Sequence, residues 1–437
     1  MYRCLARDYS TALRHWPGAR GCYPSRPLAP YDAYDETRRS SRALAGVALA
    51  VLLAGSTWFS GTAAIPTLRA AWGLGDAQAA WLTIAVQLGF ISGTFLYAVL
   101  NLADVFNARK VFLVSAVTGA AFNAGFAWLS EGLTGAVVYR FFTGVTLAGV
   151  YPVGMKIVAS WFRTGLGWRL GVLVGALVLG TASPYLIQGL GAGVDWRVLA
   201  TAGSLSALAG GAIVMGAVPD GPYLTQRAPF DAGAAARVFA RPAFRYTALG
   251  YFGHMWELYA FWSLLAFYLR DRFVGADAGW ARAIPLIAFA TVGVGALGCV
   301  AGGWISRRAG ERRVALVSLL ISGAACALSG FAQALPAPAL IAYLIVWGIF
   351  VVSDSPQFSA LAARYCPPEY TATALTVQNG VGFAVTVVSI QLLPWIAARV
   401  GWRWAFVALA AGPLAGAWFM QRLGRVDGPN VSSRGDP

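Results

Sequence analysis

The chain has 437 residues, 58% apolar and 12% charged, about half the charged share of an ordinary soluble protein. Its mean hydropathy is +0.61 and its formal net charge +15. Two or three soluble domains would leave far too much apolar surface in water, which excludes a soluble enzyme, a disordered chain and a collagen-like fibre. An all-α polytopic membrane protein remains.

Of the 33 basic residues only Lys110 and Lys156 are lysines. This arginine skew, with so much Ala and Gly, points to a GC-rich bacterial genome. No basic stripe interleaved with aromatics lies outside the apolar segments, so nucleic acid is not an expected partner. The five cysteines are scattered without a CxxC pair, which argues against a disulfide framework or a metal site. No cofactor is expected.

Twelve apolar stretches reach the roughly 20 residues that a membrane crossing requires. In chain order they run 43–66, 79–101, 110–129, 134–157, 168–190, 196–217, 244–269, 282–304, 312–332, 338–362, 370–396 and 402–422. The longest interior break, 218–243, holds Pro219, Pro222, Pro229 and Pro242 and separates six spans from six. The expected organisation is therefore a tail over 1–42, a six-helix half over 43–217, a central loop over 218–243, a second half over 244–422 and a tail over 423–437. The first tail has no apolar core of a signal peptide; it reads as a disordered arm or a start codon placed too early.

With both termini in the cytoplasm, that side receives 25 of the 33 basic residues, and 17 without the first tail, against eight outside. The positive-inside rule then sets the orientation. A bacterial inner membrane is the expected location.

A six-plus-six layout invites a search for repeats. Asn107 and Arg109-Lys110 after span 2 align with Gly310 and Arg312-Arg313 after span 8. Gly144 and Pro152 in span 4 align with Gly348 and Pro356 in span 10 at nearly the same offset. These residues resemble the major facilitator superfamily, whose loop signature runs G-x-L-A-D-R-x-G-R-R. The first copy keeps Asp104, Arg109 and Lys110 but has Leu100 and Asn107 where glycines are usual. The second keeps Gly303, Gly310, Arg312 and Arg313 but has Arg307 in place of the Asp. The stretch Arg140-Phe-Phe-Thr-Gly144 resembles the superfamily's arginine motif in span 4.

The resemblance implies two six-helix halves related by a pseudo-twofold axis and a central site exposed alternately to each side. It further implies a cytoplasmic gate in which Asp104 latches onto Lys156, Arg163 or the start of span 11. The stretches Gly250–Trp262 and Asp354–Leu361 resemble bacterial permeases loosely grouped with nitrate/nitrite and cyanate porters. Nitrate itself is not carried over, because span 2 has no arginine and Arg282 stands only at the start of span 8. In span 5, Gly171, Gly180 and Pro184 match the superfamily's antiporter motif in part.

Ionisable groups inside spans are functional candidates, because an unpaired charge there costs about 2.5–3.5 kcal/mol on insertion scales. Glu257 and Asp354 are candidate proton-coupling acids, with His254 as relay. The bland alternative lets His254 and Glu257 satisfy each other within span 7 and Asp354 cap the turn at Pro356. Arg140 is a candidate anion ligand or partner of an acid, or else a snorkelling arginine. Gln87, Gln357, Gln378 and Asn379 are candidate neutral hydrogen-bonding groups of a cavity. Trp58, Trp256, Trp262 and Trp347 are candidate wall residues.

The expected function is secondary transport of a small polar or anionic metabolite, coupled to protons, by a chain acting as a monomer in the bilayer. Proton-driven multidrug efflux is the alternative. A receptor or an enzyme stands further off, since no Walker A or HExxH sequence occurs.

Overall fold

The computed structural model describes residues 30–162, 166–190, 195–223, 232–273, 278–367 and 370–426. The described residues are almost wholly helical and contain no strand. The chain divides into two compact units, Met1–Arg39 and Ser40–Pro437, and both six-span halves lie within the second.

Span 1 is built from α1 (Pro30–Gly55) and α2 (Ser60–Trp72). Helix α1 therefore begins inside the segment 1–42 for which the sequence predicts an unordered arm. Pro30 stands at its start, where a proline suits a helix. Residues 1–29 lie outside the described residues. Span 2 is α3 (Asp76–Val99), followed by the single turn α4 (Leu102–Val105). Span 3 is α5 (Ala108–Leu129); span 4 is α6 (Leu133–Leu147) with α7 (Tyr151–Ala159). Spans 5 and 6 are α8 (Leu166–Leu190) and α9 (Trp196–Ala217).

The central segment holds a short helix, α10 (Ala232–Ala240), ahead of α11 (Pro242–Arg272), which is span 7. Span 8 divides into α12 (Ala278–Gly293) and α13 (Gly295–Ala309), and span 9 is α14 (Glu311–Ala332). Span 10 divides into α15 (Ala337–Phe350) and α16 (Ser355–Tyr365). Span 11 is α17 (Thr371–Val400), and span 12 comprises α18 (Trp402–Ala405), a 3₁₀ stretch and α19 (Ala411–Val426).

Eleven of these twelve spans are long and apolar enough to cross a membrane. The exception is α11. At 31 residues its length, about 46 Å, is ample. His254, Glu257 and a run of Tyr and Trp lower its hydropathy, and these residues are buried within the protein.

The repeated Gly–Pro pattern has a physical cause. Gly144 lies on the backbone of Val86 in α3, and Gly348 on that of Thr291 in α12; a Cβ at either place would strike a carbonyl oxygen. Pro152 and Pro356 then stand at the start of α7 and α16, where the helix resumes after a break and needs no N–H from that residue. The two halves meet where α3 packs on α17 and where α8 packs on α12 and α13. Small residues permit the second contact: Gly171 and Gly175 of α8 lie on the carbonyls of Cys299 and Ala296. Gly180, the other glycine of the partial antiporter motif, instead faces Leu52 of α1.

Candidate functional site

The break in span 1 leaves backbone carbonyls without helical partners in an apolar surrounding, where each must be satisfied inside the protein. Arg140 of α6 supplies the donors. Its guanidinium donates to the Thr57 carbonyl (2.8 Å), the Trp58 carbonyl, Ser60 Oγ (3.1 Å) and Asn123 Oδ1 (3.0 Å). Asn123 of α5 is itself held by the Ala200 carbonyl (2.7 Å) and Ser204 Oγ (3.1 Å) of α9. Arg140 is fully buried and lies 5.6 Å from the Phe126 ring. Snorkelling is overturned, because the arginine is buried and bound by the Thr57 and Trp58 carbonyls of the break between α1 and α2. It does not line the central cavity. Asn123 escaped notice in the sequence, although a lone Asn amid the apolar residues of span 3 was the available signal.

In the second half, Glu257 of α11 points into the packing of α14 and α15. It accepts from Ser322 Oγ (2.8 Å), Cys326 Sγ (3.2 Å) and Trp347 Nε1 (2.5 Å). His254, one turn earlier, meets Asp354 instead: Nδ1 and Oδ1 are 2.9 Å apart, and each side chain is 1% exposed. Both parts of the bland alternative therefore fail. His254 and Glu257 do not satisfy each other, because three residues along α11 aim them at different neighbours. Asp354 precedes α16 but makes no side-chain cap. The Nε2 of His254 has no hydrogen-bond partner within the protein.

Between the halves lies a cavity of about 40 Å³. From the first half Phe90, Tyr151 and the α8 residues Val174, Leu177 and Val178 line it. From the second come α11, the start of α16, Asn379 and Phe383. Tyr251, one turn before His254, and Ser355, next to Asp354, face this space. The break in span 1 also delivers Trp58 here, stacked on Tyr259 (ring centroids 5.5 Å apart) and packed against Phe90 (4.9 Å) and Phe383 (5.7 Å).

Of the four tryptophans, Trp58 and Trp262 belong to this centre. Trp347 stacks on Phe261 (4.2 Å) beside Glu257, and Trp256 reaches the Ala408 carbonyl (3.4 Å), so both serve packing in the second half. Among the neutral candidates only Asn379 lines the cavity. Gln87 and Gln378 are fully buried, and neither amide makes a side-chain hydrogen bond in the protein; Gln357 leaves its Nε2 unpaired.

The loop motif does other work than a latch at the positions that can be followed. Asn107 caps α5 by accepting from the Arg109 and Lys110 backbone N–H groups (3.0 and 3.3 Å), and its amide donates to Asp220 (3.0 Å). Arg109 grips the end of α9 through the Val214 and Met215 carbonyls (3.4 and 2.5 Å). Arg312 does the same in the second half, donating to the Met420 carbonyl of α19 (3.4 Å). Each arginine closes its own half at a helix C-terminus, where a cation is favoured. Lys110 and Arg313 are exposed. Gly303 approaches the Trp168 backbone across the two halves, and Gly310 turns the chain at φ +82. The Lys156 ammonium donates to the Ala103 carbonyl. The Asp104 side chain, Arg163 and Pro368 lie outside the described residues.

Residues 247–435 match the family model of the Major Facilitator Superfamily. The Niacin transporter NiaP of Acinetobacter baylyi is 30% identical over 177 residues, 38% of this chain and 37% of that protein. The Probable galactarate/D-glucarate transporter GudP of Escherichia coli is 27% identical over 114 residues, 25% of each. The matched segments thus span little more than a third of the curated relatives. The proton:xylose symporter XylE, solved with 6-bromo-6-deoxy-D-glucose, superposes with a TM-score of 0.69 at 13% identity, over 89% of this chain and 96% of that one. These proteins are transporters and not enzymes. The family match covers the second half of the chain, and both halves share the fold of the solved major facilitator transporters.

Proposed function

We propose that the chain is a secondary transporter of a bacterial inner membrane. It moves a small polar solute by alternating access of the space between its halves, and protons carried on the His254–Asp354 pair drive it. Both termini lie in the cytoplasm, in keeping with the arginine distribution. The observation that carries the coupling is the position of the pair: it ties α11 to the start of α16, and the neighbouring Tyr251 and Ser355 face the cavity. With Nδ1 set 2.9 Å from Asp354 Oδ1, the unpaired Nε2 is the atom that takes an incoming proton, and the carboxylate stabilises the imidazolium so formed. Tyr251, Cys299 and Glu257 are the other titratable groups within reach of the Asp354 charge. Glu257 is fully engaged by three donors and serves as a structural acid.

The test is uptake into proteoliposomes under an imposed pH gradient, comparing wild type with Asp354→Asn and His254→Gln across a panel of small polar and aromatic solutes. Gradient-driven accumulation is expected to fall by an order of magnitude or more in both variants while solute exchange without a gradient persists. Accumulation by Asp354→Asn at the wild-type level would remove the pair from the coupling mechanism.

A further inference from the structure

The cavity between the halves is unusual in what lines it. No charged side chain does so among the described residues. Arg140 is bound elsewhere, Glu257 faces the interior of the second half, and His254 and Asp354 stand behind Tyr251 and Ser355. Aromatic rings form its walls instead: Phe90, Tyr259 and Phe383 pack together with centroids 4.5 to 5.2 Å apart, and Trp262 meets Tyr259 edge-on at 5.5 Å.

Set into these walls are polar groups without a side-chain hydrogen bond in the protein. The indole N–H of Trp262 is buried and unpaired, as is that of Trp58 on the ring packed behind Tyr259. A buried donor left in this state costs about 1–3 kcal/mol, so that of Trp262, which lines the cavity, points to a ligand that pairs with it. A volume of about 40 Å³ accommodates roughly three waters, which together displace about 90 Å³, the size of one small ring.

From these walls, donors and dimensions we infer that the central site takes a planar, unsaturated ring compound bearing hydrogen-bond acceptors and bound without net charge, such as an aromatic amide or heterocycle. The ring lies against Tyr259, Phe383 and Trp262, where offset or edge-on contacts add to simple burial. The acceptor on the ring pairs with an indole N–H. A carboxylate in the same place has no cation to meet. The inference builds on the transporter reading for the meaning of binding, but binding itself can be read with no transport at all.

The test is isothermal titration calorimetry of the detergent-purified full chain with two matched probes, benzamide and cyclohexanecarboxamide. They carry the same acceptor and differ in the planarity of the ring. Benzamide is expected to bind roughly tenfold tighter, the factor that two aromatic contacts supply. Trp262→Leu is expected to reduce that preference severalfold, Tyr259 and Phe383 remaining, whereas Trp262→Phe keeps the preference and weakens both probes equally by losing the N–H. Thermal unfolding of each variant establishes that it is folded. Equal affinities for the two probes in wild type, or an unchanged preference in folded Trp262→Leu, would overturn the inference. Ring-selective binding without uptake in proteoliposomes would leave the site standing and sink the transporter reading. Uptake of saturated or charged solutes with no ring preference would do the reverse.

Discussion

The two halves bury charge in opposite ways. The first holds the Arg140 cation at its centre among neutral acceptors: two carbonyls of a broken helix, a serine and an asparagine. The second holds an anion, Glu257, among neutral donors, and beside it an acid paired with a titratable base. In the first half every partner is fixed at all ordinary pH values. In the second, two ionisable side chains, His254 and Asp354, face each other at 2.9 Å. The contrast separates a half that pins the break delivering Trp58 from one that carries the pair to which the proposed coupling is assigned.

The largest effect that breaks this contrast is expected from Arg140→Met. It leaves the Trp58 carbonyl without its donor and the Thr57 carbonyl and Asn123 oxygen to share the Ser60 hydroxyl, and should cost about 3–5 kcal/mol. Thermal unfolding in detergent reads it, with Arg140→Lys falling between. A methionine variant that melts like wild type would show that the break does not depend on the arginine.

Next comes Glu257→Gln, which sets an amide NH2 against three donors and should destabilise by about 1–3 kcal/mol. Gradient-driven uptake per folded molecule should stay near wild type, unlike that of Asp354→Asn. Normal stability with lost coupling in Glu257→Gln would exchange the roles of the two acids.

Gly144→Ala and Gly348→Ala sharpen the comparison from its symmetric side. Each drives a methyl group into a facing carbonyl and is expected to cost about 1–2 kcal/mol. Equal losses in unfolding midpoint would confirm that this contact is shared by the halves, and a large loss in one alone would refute it. The smallest effect, about 1 kcal/mol, is expected from Asn107→Ala, which removes the cap of α5 and its bonds to Asp220. No matching loss should follow from changing Gly310, which occupies the equivalent place with a turn and no side chain.

Much of the fold was legible because lipid imposes one strong rule, that each crossing be a long apolar helix, and the Gly–Pro repeat marked corresponding places in the two halves. The breaks within spans 1, 4, 8 and 10 were not legible, since apolar composition continues through them. The ionisable residues singled out within spans are buried, but the sequence did not reveal their partners. His254 and Glu257 sit three apart on one helix, and nothing in that spacing reveals that one faces α16 and the other α14. Likewise the loop arginines carry a recognisable motif, yet Arg109 and Arg312 are explained by carbonyls at the ends of α9 and α19, groups that every sequence contains.

The partners of the buried charges also differ in when they are made. Thr57, Trp58, Ser60 and Asn123 all precede Arg140, so the arginine enters the bilayer with its ligands already in place. His254 and Glu257 wait for Ser322, Cys326, Trp347 and Asp354, the last synthesised 100 residues later. The helix that carries them, α11, is the one span whose composition does not suffice for crossing alone. During biosynthesis the first half can therefore settle as it emerges, whereas α11 is held at the translocation machinery until later helices arrive to shelter its polar face.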